Sequence, residues 1–343
     1  MTSEEKRVCD LLATRMAGCV GRQVGVLLLA HGAPDRLDDI PEFLLNVRGG
    51  RRLSDAAARA ISERYARIGG GSPLLGLTKL QAAKLQEILS LNCTAANTAS
   101  DAQPIPVSVG MRNWKPFICD AVRELSNAGI DRVVAICMAP QNSSTSVGLY
   151  RKRLDESIAA NAPGMEVDFL ESWHDHPDLI AAFADKVCRG LARLEAEPRD
   201  KVPVVFTAHS VPQRTLDAGD PYRFQVEETA RLVAKAVGLI RWRVAFQSQG
   251  VTEEAWLGPT VESELERLAG EGNRQVLIAP IGFVSDHVEI LYDIDIAFRQ
   301  YGAKCGLTVW RTESLNDSPL LINALASLVK PRLNLMSYRQ PHV

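Results

Sequence analysis

Histidines at the ends of apolar runs carry the first chemical signal. The stretch Val202 to Pro212 reads VPVVFTAHSVP. Val204, Val205 and Phe206 predict a strand buried on both faces of a parallel sheet. His209 and Ser210 follow at its carboxyl end, where open α/β sheets place their ligands. Pro212 keeps the preceding residue out of a helix, so the imidazole sits on a loop. Alone, such a His is as readily a satisfied turn residue. A second copy changes the balance: VGVLLLAHGAP puts His31 after the strand Val24–Leu29, with Pro34 three places on. A neutral imidazole, with an ordinary pKa of about 6.5, accepts a proton or binds a metal. In GFVSDHVEILYDID, Glu289 and Asp293 are four apart on a predicted helix Val288–Arg299 and share a face. Like charges at that spacing repel, so the pair suits a cation, or one acid and one base. The competing reading is an acidic first turn favoured by the helix dipole.

Three further clusters have chemical potential. Arg48-Gly-Gly-Arg51-Arg52 is a basic run that a solvated face would also show, and a predicted helix over 55–67 ends in Arg64-Tyr65. The glycines 69–71 precede Ser72-Pro73 and let a backbone approach a ligand closely, or serve as a hinge. They lack the Lys-Ser/Thr of a phosphate-binding loop. In Trp173-His174-Asp175-His176-Pro177 the alternating histidines favour the exposed start of a helix over a metal site.

The elements that must hold these residues alternate. Strands are expected at Ile105–Val109, Val133–Met138, Met165–Trp173, Trp242–Gln247, Val276–Ile281 and Leu307–Arg311. Helices are expected at Asp39–Val47, Tyr222–Val237 and Ser318–Leu333, with one carrying Tyr150. Ala139-Pro140 and Ala279-Pro280 end two more strands in the same way, which implies two similar α/β halves presenting a loop His each to a shared cleft. With 343 residues, two domains are the default. We expect an extension over 1–23, with an amphipathic helix or loose arm at 4–18. Domains are expected at 24–150 and 151–317, and a closing helix and tail at 318–343 packing back on the first domain.

The totals exclude several classes. A net charge of −2 argues against a nucleic-acid binder. No apolar run approaches the roughly 20 residues of a membrane span, and the acidic start is no convincing signal peptide. Cys9, Cys19, Cys93, Cys119, Cys137, Cys188 and Cys305 are scattered without a CxxC pair. That suits reduced thiols in a cytoplasmic protein and gives no zinc or iron–sulfur spacing.

Taken together, AHSVP, QSQG with WLGP, GFVSDHVEILYDID, GGGSPL and APQNSSTSVGLYRKR resemble the ferrochelatases, which insert ferrous iron into a porphyrin. The resemblance runs from about residue 24 to 330. More narrowly it is to the soluble bacterial coproporphyrin III enzymes. It implies two Rossmann-like (chelatase-type) domains, each a four-stranded parallel sheet flanked by helices, with the active-site cleft between them. It places the metal-handling catalytic pair on His209 and Glu289, and porphyrin contacts on Arg48, Arg64, Tyr65, Ser72 and Tyr150. It implies ferrous iron as substrate, no cofactor and no iron–sulfur cluster, a cytoplasmic monomer, and a coproheme decarboxylase as a downstream partner.

The chain departs from that pattern at three positions. His31 stands where the relatives usually carry Tyr, Asn113 where they carry His, and Ala297 where the acidic ridge behind Glu289 would continue beyond Asp293. Asp293 is thus the one secondary metal-path candidate. His31 is expected to bind the porphyrin and to be the axial ligand of product iron; the alternative is a hydrogen bond to a neighbouring carboxylate. The chemistry fits independently of the family. Insertion removes two pyrrole protons and strips water from the cation, work suited to an imidazole facing a carboxylate. Arginines pair with the carboxylates of coproporphyrin in bidentate fashion. Protoporphyrin IX is the runner-up substrate, and a non-catalytic tetrapyrrole carrier is the reading from another class. A carrier has no need of Glu289 opposite His209.

Overall fold

The computed structural model describes residues 23–96, 104–194, 201–250 and 254–338. The expected helix at 4–18 and Cys9 and Cys19 lie outside them. Two all-parallel sheets form the frame. The first contains β1 (Gln23–Ala30), β2 (Val107–Met111), β3 (Ile130–Cys137) and β4 (Glu166–Leu170) in the order β2-β1-β3-β4. The second contains β5 (Val204–His209), β6 (Trp242–Gln247), β7 (Gln275–Pro280) and β8 (Thr308–Arg311) in the order β6-β5-β7-β8. The orders are the same, so the repeated strand-His motif marks a repeated topology. In each half the chain pairs to one side of the leading strand and then to the other. His31 and His209 therefore stand at the two switch points, where such sheets open a crevice at their carboxyl ends.

The strands are apolar because both faces are covered. Val26 to Leu29 and Val204 to Phe206 are fully buried. One apolar cluster joins Val26, Leu28 and Ile136 of the first sheet to Phe206 and Leu277 of the second, through Leu321, Leu325 and Val329 of the closing helix Pro319–Tyr338. That helix packs against β1, β3 and the helices Leu74–Ala96 and Pro177–Ala192.

The domain boundary expected at 150/151 is corrected. β4 pairs with β3 from Arg132↔Glu166 to Ile136↔Leu170, so it completes the first sheet. The helix Pro177–Ala192 then packs on the helix Tyr222–Val237 and on β7. The change of sheet thus falls in the segment containing Trp173-His174-Asp175-His176. Trp173 is buried and its indole N–H donates to the Cys137 carbonyl at 2.9 Å. His176 caps the following helix by accepting from the Asp178 N–H at 3.3 Å. Among the described residues no group of three or more His, Cys, Asp or Glu forms a ready-made metal cage.

A second correction concerns the expected helix Val288–Arg299. Val288–Leu291 is α-helical, Asp293–Phe298 forms a π-helical turn, and α-helix resumes at Arg299–Lys304. Wide turns of this kind recur at functional sites because they re-aim side chains. No helix among the described residues is long and apolar enough to cross a membrane.

Candidate active site

The second half assembles four loops around His209. The Tyr222 hydroxyl donates to the His209 carbonyl at 2.9 Å, and the Ser210 N–H to the Gln247 carbonyl at 2.7 Å. The Ser210 hydroxyl donates to the Leu257 carbonyl at 2.7 Å, drawing in the WLGP turn. Gly282 lies so close to Ala208 that a Cβ there would fall 2.6 Å from the alanine methyl, so only glycine fits. Buried Gln247 donates its amide to the Glu289 carbonyl at 2.8 Å. These contacts explain why AHSVP, QSQG, WLGP and GFVSDHVE occur in one chain: each loop holds the next.

Within this frame the Glu289 carboxylate meets two imidazoles. His209 Nε2 and His287 Nε2 each lie 3.7 Å from Glu289 Oε2. His209 Nδ1 contacts the Ser210 carbonyl and His287 Nδ1 the Ser285 carbonyl at 3.0 Å. A carbonyl only accepts, so both rings carry a proton on Nδ1, and the neutral form of His209 turns the bare Nε2 toward Glu289. Burial works to raise the Glu289 carboxyl, but His209, His287 and His31 outweigh it and hold it at about 2. For His287 the order reverses: burial lowers it, and Glu289 more than restores it, leaving it above its ordinary value. The result is a carboxylate that stays ionised at neutral pH beside two imidazoles.

Asp293 is one step deeper. The Ser248 hydroxyl donates to its Oδ2 at 2.6 Å, and Arg64 Nη1 lies 3.7 Å from Oδ1. Burial, supported by the Glu289 charge and opposed by Ser248 and Arg64, raises Asp293 to about 6. Glu289 and Asp293 are thus split in proton affinity: one remains ionised while the other takes up a proton near neutrality.

The first half supplies the facing wall. His31 Nδ1 contacts the Gly32 carbonyl at 2.9 Å, so Nδ1 carries the proton. Its Nε2 meets the Asn113 side-chain nitrogen at 3.0 Å, which donates. Solvent reaches the ring from the cleft, yet the surrounding walls desolvate it. That desolvation leads, with Arg112 adding, in lowering the imidazole to about 4. The alternative of a hydrogen bond to a carboxylate is not what forms; for iron to reach Nε2, Asn113 must let go. Phe43 packs edge-on against His31, Tyr65 and Trp114 at centroid distances of 6.1, 6.5 and 6.2 Å. Tyr65 and Tyr150 are buried, which raises both phenols and keeps them neutral.

The ferrochelatase family model matches residues 23–333. The chain belongs to the ferrochelatase family. It is 46% identical over 327 residues to a ferrochelatase of Acidobacterium capsulatum, covering 91% of this chain and 95% of that one. It is 36% identical over 315 residues to a coproporphyrin III ferrochelatase of Geobacillus sp., covering 92% and 99%. Among solved structures, SirB from Bacillus subtilis with Fe3+ superposes with a TM-score of 0.54 at 10% identity, covering 90% of this chain and 94% of that one. That likeness shows the chelatase-type fold, in which two parallel four-stranded sheets repeat. As a ferrochelatase, the protein is a metal chelatase acting in porphyrin metabolism.

The family residues fall in different settings. Arg48 is exposed, and its Nε donates to the Arg51 carbonyl at 3.2 Å. Arg64 lies between Asp293 and the Tyr292 ring, 5.3 Å from the ring centre. Ser72 is buried; its hydroxyl accepts from the Leu74 N–H at 3.3 Å and its own N–H donates to the Pro34 carbonyl at 2.9 Å. Gly71 packs on Asp35, where a Cβ would fall 2.1 Å from the carbonyl oxygen. The close approach offered by the glycine run is therefore to the His31 loop. The APQNSST segment straps the halves together, with the Ser144 N–H and hydroxyl both donating to Asp220 at 2.7 and 2.8 Å. Residue spacing missed His287, Gln247, Ser248 and Arg112. His287 was legible, since it stands two places before Glu289 in the same motif; the other three depend on which loops meet.

Proposed function

We propose that this ferrochelatase acts on coproporphyrin III, inserting ferrous iron to give coproheme. The observation that carries the chemistry is His209 Nε2 and Glu289 Oε2 at 3.7 Å on one side of the cleft. In this reading the ring lies between that pair and His31. A carboxylate that is ionised at neutral pH, beside an imidazole, suits the ferrous ion as its water leaves. The neutral Nε2 of His209 accepts a pyrrole proton, and Glu289 or solvent takes the second, balancing the two protons displaced by Fe2+. Asp293, protonated more readily, would pass protons outward past Ser248. Arg48, Arg64, Tyr65, Ser72 and Tyr150 would contact the porphyrin, with the arginines at its acidic rim. His31 would ligate the product iron from the opposite face once Asn113 yields. The product is a tetracarboxylate haem, which a decarboxylase would consume to reach protohaem.

The substrate reading is supported by the relatives called coproporphyrin III ferrochelatases. The experiment is an anaerobic insertion assay with ferrous iron, comparing coproporphyrin III with protoporphyrin IX under identical conditions. A higher kcat/KM for coproporphyrin III is expected. Preference for protoporphyrin IX overturns the substrate assignment and leaves the family standing.

A further inference from the structure

Among the described residues, the Arg112 guanidinium has buried nitrogens without a hydrogen-bond partner. Arg112 follows β2 and its N–H donates to the Ala30 carbonyl at 2.9 Å, which places it beside the His31 loop. Its neighbour Asn113 is the residue bonded to His31. The guanidinium carbon lies 5.2 Å from the centre of the Tyr150 ring. Nε and Nη1 are closed off from solvent and have no hydrogen-bond partner among the described residues. The nearby groups offer no counter-charge: His31 is neutral, and the Tyr150 phenol and Cys137 thiol are both raised by burial and uncharged. A half-buried guanidinium with two enclosed, idle donors is expensive unless an anion arrives to meet it. The other arginines of the cleft differ. Arg48 is exposed, and Arg64 already faces Asp293.

We propose that Arg112 is a carboxylate-binding residue of the cleft, receiving one acidic side chain of the porphyrin next to Tyr150. Stacking on the phenol ring fixes the guanidinium plane, and a planar fork then recognises a carboxylate through paired N–H donors. This rests on the porphyrin reading above and adds a third arginine, set deep on the His31 side, to the two expected at the rim.

The test is a fluorescence titration with metal-free coproporphyrin III and with its tetramethyl ester, both in the same dilute detergent, on wild type and Arg112→Met. The proposal expects the acid to bind about 10- to 100-fold more weakly to the variant, the equivalent of ~1.5–3 kcal/mol. The ester should bind both proteins within about two-fold, because no carboxylate remains to lose its partner. Arg112→Lys should retain part of the preference for the acid. Equal losses for acid and ester, or no loss for either, overturn the proposal. Should Arg112→Met fail to fold by circular dichroism, Arg112→Gln carries the same comparison under the same criteria. Metal is absent, so failure of iron insertion leaves the titration readable. Failure of wild type to bind either porphyrin would instead refute the porphyrin reading, and this subsite with it.

Discussion

Replacing Arg311 by Met should unfasten the loop that carries His287 and Glu289. Arg311 ends β8 and is 13% exposed. Its Nε and Nη2 donate to the two oxygens of Asp295 at 2.9 and 2.8 Å, and Nη1 to Asp286 at 3.3 Å. Asp286 also accepts from Ser314 at 2.6 Å and from Asn316 at 2.9 Å, while its own N–H donates to Asn316 Oδ1 at 2.9 Å. The network ends one residue before His287. Met fills much of the volume but leaves two carboxylates that are 20% and 21% exposed without their cation. Removing one partner of a buried pair costs about 3–5 kcal/mol. Asp295 keeps Arg299 at 3.3 Å, and both carboxylates retain some solvent, so the lower end, about 3 kcal/mol, is expected. Urea denaturation at pH 7 measures it. Arg311→Met with Asp286→Asn should recover about half, since one stranded charge is removed with the cation. Because Arg311 acts through the placement of Glu289, kcat should fall while KM for porphyrin stays within about two-fold. A loss below about 1 kcal/mol with kcat intact would mean that Arg311 does not hold the His287–Glu289 loop.

Two other substitutions read different parts of the molecule. Asn113→Ala removes the amide that occupies His31 Nε2 at 3.0 Å. With about 1 kcal/mol no longer opposing ligation, product release should slow about five-fold and the haem spectrum should move further toward nitrogen coordination; faster release with an unchanged spectrum contradicts the axial role. Glu313 is held at about 2 by Arg193 and Lys186. A depressed folded value stabilises above the ordinary carboxylate pKa and is lost as pH falls toward 2. The side chain is 46% exposed, so Glu313→Gln should cost only about 0.2–1 kcal/mol at pH 7. Urea midpoints should converge with wild type near pH 2, and a penalty that persists there contradicts the assignment.

The strands were legible because each is a short apolar run ended by polar or turn-forming residues, and the paired histidines pointed to a repeated half. Position along the chain misled at 150/151, because a strand's partner is set by packing and Glu166–Leu170 adds to the earlier sheet. The helix after His287 read as regular because its apolar residues keep a helical period; in the fold the wide turn at Asp293–Phe298 meets Ser248, Arg64 and Arg311 from elsewhere in the chain. In the sequence Arg112 is one charge between two strand-forming segments. Its significance lies in a missing partner, and only the fold reveals that.

The proposed role of His209 and Glu289 is joint insertion of the metal. Single-turnover iron insertion into prebound coproporphyrin III, followed anaerobically by loss of free-base fluorescence, tests it most directly in wild type, His209→Ala and Glu289→Ala. Each variant is expected to bind the porphyrin with near wild-type affinity and to insert iron at least about 100-fold more slowly, the low end expected for loss of a positioned acid–base group. Insertion within a few-fold of wild type in both variants would contradict it.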